Sequence, residues 1–207
     1  MQTPAETVAE LARLFPMPGA ELERLKKRSW VLKELPPGGV GAEIGVFRGH
    51  FSEMICRIVQ PRKLFLVDPW TLIGERFGWG GDYTCDDRLT TATARTDALA
   101  RAAGFPKTEI VAIEGWFPRC AAQITEPLDF AYLDASHRYA STLNELRKLD
   151  ALVKPDGLIL GDDWSPRPDS KHHGVYRAVQ SFVRERDWEI VKAGAARQWI
   201  LRRRKPE

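Results

Sequence analysis

The chain has 207 residues, 43% hydrophobic and 29% charged, which suits one compact domain with a real core. A formal charge of +3 is too small to argue for a nucleic-acid partner, and no apolar run approaches the ~20 residues that span a membrane. Cys56, Cys85 and Cys120 are an odd set without CxxC spacing, so neither a disulfide framework nor a zinc site is indicated.

Thr3 to Leu14 reads as a short amphipathic helix with Val8, Leu11 and Leu14 on one side, ended by Pro16 and Pro18. Its acidic, amphipathic start is unlike a signal peptide, and reduced thiols fit a cytoplasmic protein. Glu21 to Leu35 reads as a second helix, and Pro36-Pro37-Gly38-Gly39 breaks the chain after it. Residues 1–37 therefore form an N-terminal helical extension that packs on the sheet edge or over a ligand. An α/β domain fills 38–207. The basic run Arg202-Arg203-Arg204-Lys205 is a solvated end.

Val40 to Asp68 reads as strand, glycine turn, helix, strand. Val40, Ala42 and Ile44 lead into Gly45, and Phe51, Met54, Ile55, Ile58 and Val59 have helical spacing. Leu64 to Val67 is an apolar run suited to a strand covered on both faces, and it ends at Asp68. A carboxylate at the end of a second strand can accept from both hydroxyls of a nucleoside ribose. Gly45 permits a turn with positive φ, Gly49 a close approach at the helix start, and free N–H groups there favour an anion.

Pro69 to Tyr83 is a glycine- and aromatic-rich loop, with Gly78, Gly80 and Gly81 for mobility and Trp79 and Tyr83 as cover. It is either a lid or a surface loop with its aromatics tucked in. Asp86 to Ala103 reads as a helix, Glu109 to Ile113 as the third strand and Asp129 to Asp134 as the fourth. Tyr139, Leu143, Leu146 and Leu149 mark the next helix. Pro155-Asp156-Gly157 reads as a turn before a fifth strand, Leu158 to Leu160. Val175 to Val183 mark another helix, and two closing strands flank a turn at Gly194. Strands alternating with helices give an α/β, doubly wound, Rossmann-like domain. His172 and His173 either reach the site from the next helix start or, the preferred reading, are exposed loop histidines.

The turn E-x-G-x-x-x-G-x-x-S, followed by Asp68, resembles motif I of the class I S-adenosylmethionine-dependent methyltransferases, at Glu43, Gly45, Gly49, Ser52 and Asp68. Further on, Asp134-x-x-His137-x-Tyr139 and then Gly161-Asp162-Asp163-Trp164 resemble the domain-24 methyltransferase family. They resemble related metal-dependent O-methyltransferases of macrolide sugars and, more distantly, of catechols. The resemblance implies a seven-stranded sheet with its last strand antiparallel. It implies S-adenosylmethionine held by Glu43, Gly45, Gly49, Ser52 and Asp68, with Gly115 and Trp116 toward adenine. It also implies Mg²⁺, or another divalent cation, on Asp134, Asp162 and Asp163, with His137 and Asp134 catalytic. A homodimer is a family-level expectation. The reaction implied is O-methylation of a small molecule that carries a hydroxyl group: a sugar, a phenol or a polyketide-type ring. A nicotinamide-dependent oxidoreductase is the rival, but the second glycine of G-x-G-x-x-G is missing. A non-catalytic nucleoside-binding protein on the same fold is the other rival.

Overall fold

Alternation along the central strands decides the layering. In β1 (Val40–Ile44), Ala42 and Ile44 face one layer of helices, and in β2 (Lys63–Asp68) Phe65 and Val67 do the same while Leu64 and Leu66 face the opposite layer. Each large side chain buried this way contributes roughly 1.5–3 kcal/mol. The computed structural model describes residues 2–79 and 81–205; Gly80, one of the loop glycines, lies outside the described residues.

Seven strands run in the order β3-β2-β1-β4-β5-β7-β6, with β3 at Glu109–Glu114, β4 at Leu128–Leu133, β5 at Val153–Gly161, β6 at Trp188–Ala193 and β7 at Trp199–Arg203. β1 to β5 pair in parallel, and β7 is antiparallel to both neighbours, closing the sheet as a hairpin with β6. This is the doubly wound, seven-stranded sheet expected from sequence. The strand order reverses between β1 and β4, which places a crevice outside their carboxyl ends.

The helices are α1 (Pro4–Leu14), α2 (Gly19–Arg28), α3 (His50–Ile58), α4 (Gly81–Thr84), α5 (Thr91–Ala103), α6 (Tyr139–Leu152) and α7 (His173–Glu185). α6 and α7 cover one face through Leu143, Leu146, Leu149, Val179 and Phe182. The opposite face packs on Phe51 and Ile55 of α3, Ala98 and Ala102 of α5, and Val31 and Leu32 of the N-terminal extension. α1 opens with a capping box between Thr3 and Glu6, which satisfies orphan backbone donors.

Three elements depart from the sequence expectation. The second helix is α-helical only to Arg28 and tightens to 3₁₀ over Ser29–Glu34, where the Ser29 hydroxyl donates to the Lys26 carbonyl at 2.6 Å. The helix expected from Asp86 starts at Thr91. Cys85, Asp86 and Asp87 all have positive φ, and Thr90 caps the helix through its side chain. Pro155-Asp156-Gly157 lies inside β5 as a bulge: pairing jumps from Leu128↔Val153 to Phe130↔Leu158.

Candidate functional site

The turn after β1 is held by Asp68. Its Oδ2 accepts the N–H groups of Val46 and Phe47 at 2.8 and 2.9 Å, and its Oδ1 accepts the N–H of Trp70 at 2.8 Å. The carboxylate therefore organises the very loop that would face a nucleoside. Burial raises its pKa, against the three backbone bonds that lower it. Gly45 and Gly49 have φ of 90° and 72°. A side chain at Gly45 would run into the Asp134 carbonyl, and one at Gly49 into the Cα of Ala98. Their smallness serves backbone approach within the protein, in addition to any ligand. Gly115 is buried against Cys120, while Trp116 is 49% exposed and free to stack on a flat ring.

Glu43 and Ser52, both expected at the cofactor, bond each other: the Ser52 hydroxyl donates to Glu43 Oε2 in a fully buried pair. Burial pushes the Glu43 carboxyl up to about 8, against the Ser52 hydrogen bond that lowers it. An acid whose folded pKa is raised stabilises the fold below its unfolded value of 4.5 and loses that contribution as pH rises to about 8. The gap bounds the loss at about 5 kcal/mol. Glu43→Gln keeps the hydroxyl's acceptor without the charge. Its urea midpoint at pH 8 should exceed that of the parent by a few kcal/mol equivalent, and the two should converge near pH 5. Equal midpoints at both pH values would mean that the buried carboxyl carries no such penalty.

The acids at the carboxyl edge do converge. One oxygen from each of Asp134, Asp162 and Asp163 lies within 4.8 Å of the others. Sequence reasoning missed their partners. Arg28, 5% exposed, donates to Asp134 Oδ2 and the Tyr132 hydroxyl, both at 2.7 Å, and lies 3.1 Å from Asp162 Oδ2. Arg24, one turn earlier on α2, donates to Asp162 Oδ2 at 2.5 Å. Arg197, in the β6–β7 turn, stands 3.0 Å from Asp163 Oδ1. The Tyr132 hydroxyl donates on to Gln198 Oε1, and Gln198 Nε2 donates to Asp162 Oδ1. The only signal in the sequence was the i, i+4 spacing of Arg24 and Arg28, which puts both on one face of α2.

His137 Nε2 sits 2.9 Å from Asp163 Oδ2 and 4.0 Å from Asp134 Oδ1. Burial lowers its pKa, but the two carboxylates outweigh that and raise it to about 10. Asp134 is held well below the usual carboxylate range: burial opposes this, and Arg28 and His137 overcome it. Asp162 is raised to about 6 by burial and by Asp134. His172, read from sequence as exposed, is 9% exposed and lies 2.8 Å from Asp163 Oδ2 through Nδ1. Gly174 explains the closeness, since a Cβ there would strike the His137 carbonyl; the start of α7 can thus press against the loop after β4. His173 instead places Nδ1 3.1 Å from the Ser165 carbonyl. In the long loop, Trp70 is buried with Nε1 donating to the Phe47 carbonyl, and Phe47, Phe77 and Trp79 form an aromatic cluster.

The model of a family described as a methyltransferase domain, the domain-24 methyltransferases, matches residues 42–164, from β1 to just past the acids after β5. The chain belongs to this family. It is an S-adenosylmethionine-dependent methyltransferase with the sheet of that fold. A presumed O-methyltransferase from Klebsiella pneumoniae superimposes with a TM-score of 0.61 at 15% identity, covering 99% of this chain and 91% of the other. An O-methyltransferase from Bacillus cereus, solved with S-adenosylhomocysteine, gives 0.53 at 14% identity, with 97% and 90% covered. An rRNA methylase from Streptococcus thermophilus gives 0.54 at 14% identity, with 86% and 94% covered. At these identities the likeness is one of fold. No curated protein matches the chain. Among the described residues, no helix is long and apolar enough to cross a membrane.

A magnesium ion on the three acids is tested by their donor set. Oxygen ligands suit the ion. Here, however, Arg24, Arg28 and Arg197 already set three guanidinium charges against three carboxylates. A hard dication would have to displace Arg28 from its buried bonds to Asp134 and Tyr132. The methyltransferase's acids, so arranged, do not fit Mg²⁺, and the arginines fill the charge-balancing role.

Proposed function

We propose that this methyltransferase transfers the methyl group of S-adenosylmethionine to a hydroxyl oxygen of a small molecule at the carboxyl edge of the sheet. The observation that carries this is His137. Its half-exposed ring stands between two strand-end carboxylates, beside the turn that would hold the donor. The oxygen attacks the methyl carbon as the carbon–sulfur bond breaks, the pair of electrons stays on sulfur, and the hydroxyl proton must leave. Alignment supplies most of the rate, roughly 7–11 kcal/mol for reactants held in line. The proton goes to His137. The ring's contact with Asp134 is the longer of its two. An acceptor wedged there separates the ring from Asp134 and weakens one of the two carboxylate effects that raise the imidazole, which brings it closer to a proton acceptor while Asp163 holds the ring in place. Gly45 and Gly49 shape the turn for the methionine end, Asp68 meets the ribose, and Trp116 stacks on adenine.

Turnover of labelled S-adenosylmethionine with a panel of sugars and phenols, followed by product mass analysis, tests this. The expected result is a product heavier by one methylene with the methyl on oxygen. His137→Gln should lower kcat about 100- to 10,000-fold while S-adenosylhomocysteine still binds. Methylation of nitrogen or of RNA, or full activity in His137→Gln, would refute the reading.

A further inference from the structure

The guanidinium groups at the carboxyl edge are not equally compensated. Arg28 faces Asp134 and Asp162, and Arg24 faces Asp162, Asp163 and Glu21. Among the described residues Arg197 faces one carboxylate, Asp163, at 3.0 Å. That single charge also serves Arg24 at 3.4 Å and His137 at 2.9 Å. The Arg197 Nη2 atom beside it is buried yet makes no aligned hydrogen bond. The guanidinium carries further donors, and the side chain is 41% exposed.

Arg197 sits on strained backbone. Ala196 and Arg197 have φ of 49° and 61°, left-handed values that neither residue type favours. Three neighbours hold the turn there. The Trp164 N–H donates to the Arg197 carbonyl at 2.8 Å, Trp30 Nε1 to the Ala195 carbonyl at 3.0 Å, and Gln198 Nε2 to the Ala196 carbonyl at 3.2 Å. Strain that its surroundings over-determine is a mark of a side chain held for use. Arg197 lines a groove of about 430 Å³ whose other walls are Trp164, Ser165, Arg167, Asp169 and Ser170. Trp164 is half-buried and edge-on to Tyr176, with centroids 4.9 Å apart, so the groove has an aromatic wall. Arg167 and Asp169 bond each other at 2.6 and 3.2 Å, and their charges cancel. Lys171, exposed just beyond Ser170, has no ion pair among the described residues. The groove therefore keeps a positive excess at Arg197 and Lys171.

Asp163 joins this groove to the reacting group, since its Oδ1 faces Arg197 and its Oδ2 faces His137. We propose that the methyl acceptor is acidic: a hydroxyl-bearing ring whose carboxylate is received by Arg197 in the groove while its hydroxyl reaches His137. The assignment rests on the methyl-transfer reading above. A guanidinium matches a carboxylate in shape and charge. Charge also sets the orientation. Asp134, Asp162 and Asp163 repel a carboxylate from the inner site, so the acidic end turns outward to Arg197 and the hydroxyl inward. Lys171 adds attraction at a distance.

The test uses the full-length protein, loaded with S-adenosylhomocysteine for calorimetry and with S-adenosylmethionine for turnover. The probes are 2-, 3- and 4-hydroxybenzoate and the matching hydroxybenzamides, which keep ring and hydroxyl but lack the charge. At least one acid should bind about 10-fold more tightly than its amide, the low end for a hydrogen bond to a charged group because Arg197 is partly exposed. The advantage should shrink in about 1 M salt, which screens charges beyond ~3 Å. Arg197→Gln should bring acid and amide to near parity, and Arg197→Lys should keep part of the difference. Each comparison sets two ligands on one protein, and the salt series on the parent covers a variant that fails to fold. Parity of acids and amides in the parent, binding by none of the acids, or an advantage that survives both salt and Arg197→Gln would overturn the proposal. So would a higher kcat/KM for the amides, which leaves methyl transfer itself intact. Acids that bind with the expected preference but yield no methylated product would keep the anion site and count against the methyl-transfer reading instead.

Discussion

Arg28→Met should lose about 3–5 kcal/mol of folding stability in urea melts near neutral pH, the usual cost of breaking a buried ion pair from one side. The methionine replaces most of the apolar stem but none of the charge. Asp134 Oδ2, the Tyr132 hydroxyl and Asp162 Oδ2 all lose the same guanidinium. Asp134 and Asp162 then face each other with Arg24 as the cation beside Asp162, His137 as the one beside Asp134, and Gln198 still donating to Asp162. Adding Asp162→Asn removes one of the stranded charges, so the double variant should be more stable than the sum of the single costs predicts. A coupling above about 1 kcal/mol is expected for residues in one network. Additive costs would mean that the acids do not depend on Arg28. The same variant shows whether the arginine keeps magnesium out: if millimolar Mg²⁺ restores the parent's midpoint, the freed acids bind the dication that the sequence led one to expect.

That network also marks where sequence reading stopped. Strands such as Leu64 to Val67 were legible because full burial demands a continuous apolar run, and the closing hairpin because Gly194 sits between two apolar stretches. The strand-end acids were legible because topology alone brings the carboxyl ends of β4 and β5 together. Their partners were not. Arg24 and Arg28 lie more than 100 residues away in sequence from the acids they meet, on a helix whose apolar face says only that something is buried. His172 was misplaced for a related reason. A histidine in a proline-rich stretch looks solvated until Gly174 lets the start of α7 press against the loop after β4. The helix boundary at Thr91 was lost to three consecutive left-handed residues, Cys85 to Asp87, none of them glycine.

Asp68 yields the sharpest expectation for the donor site, because its hydrogen bonds can be counted. A carboxylate has about four acceptor positions. Two at Oδ2 are taken by Val46 and Phe47, and one at Oδ1 by Trp70. One remains, so Asp68 can accept from one ribose hydroxyl rather than both. Of the 2′-deoxy and 3′-deoxy analogues of S-adenosylhomocysteine, one should bind roughly 10- to 150-fold more weakly by calorimetry, the equivalent of about 1.5–3 kcal/mol for a hydrogen bond to a charged group. The other should bind like the parent. Asp68→Ala should lose more than either analogue, since it removes the ribose contact and releases three backbone N–H groups of the turn together. Equal losses with both analogues would show that the turn gives up one of its bonds when the nucleoside arrives. No loss with either, and none in Asp68→Ala, would remove the residue from the donor site and leave it only the work of holding the turn.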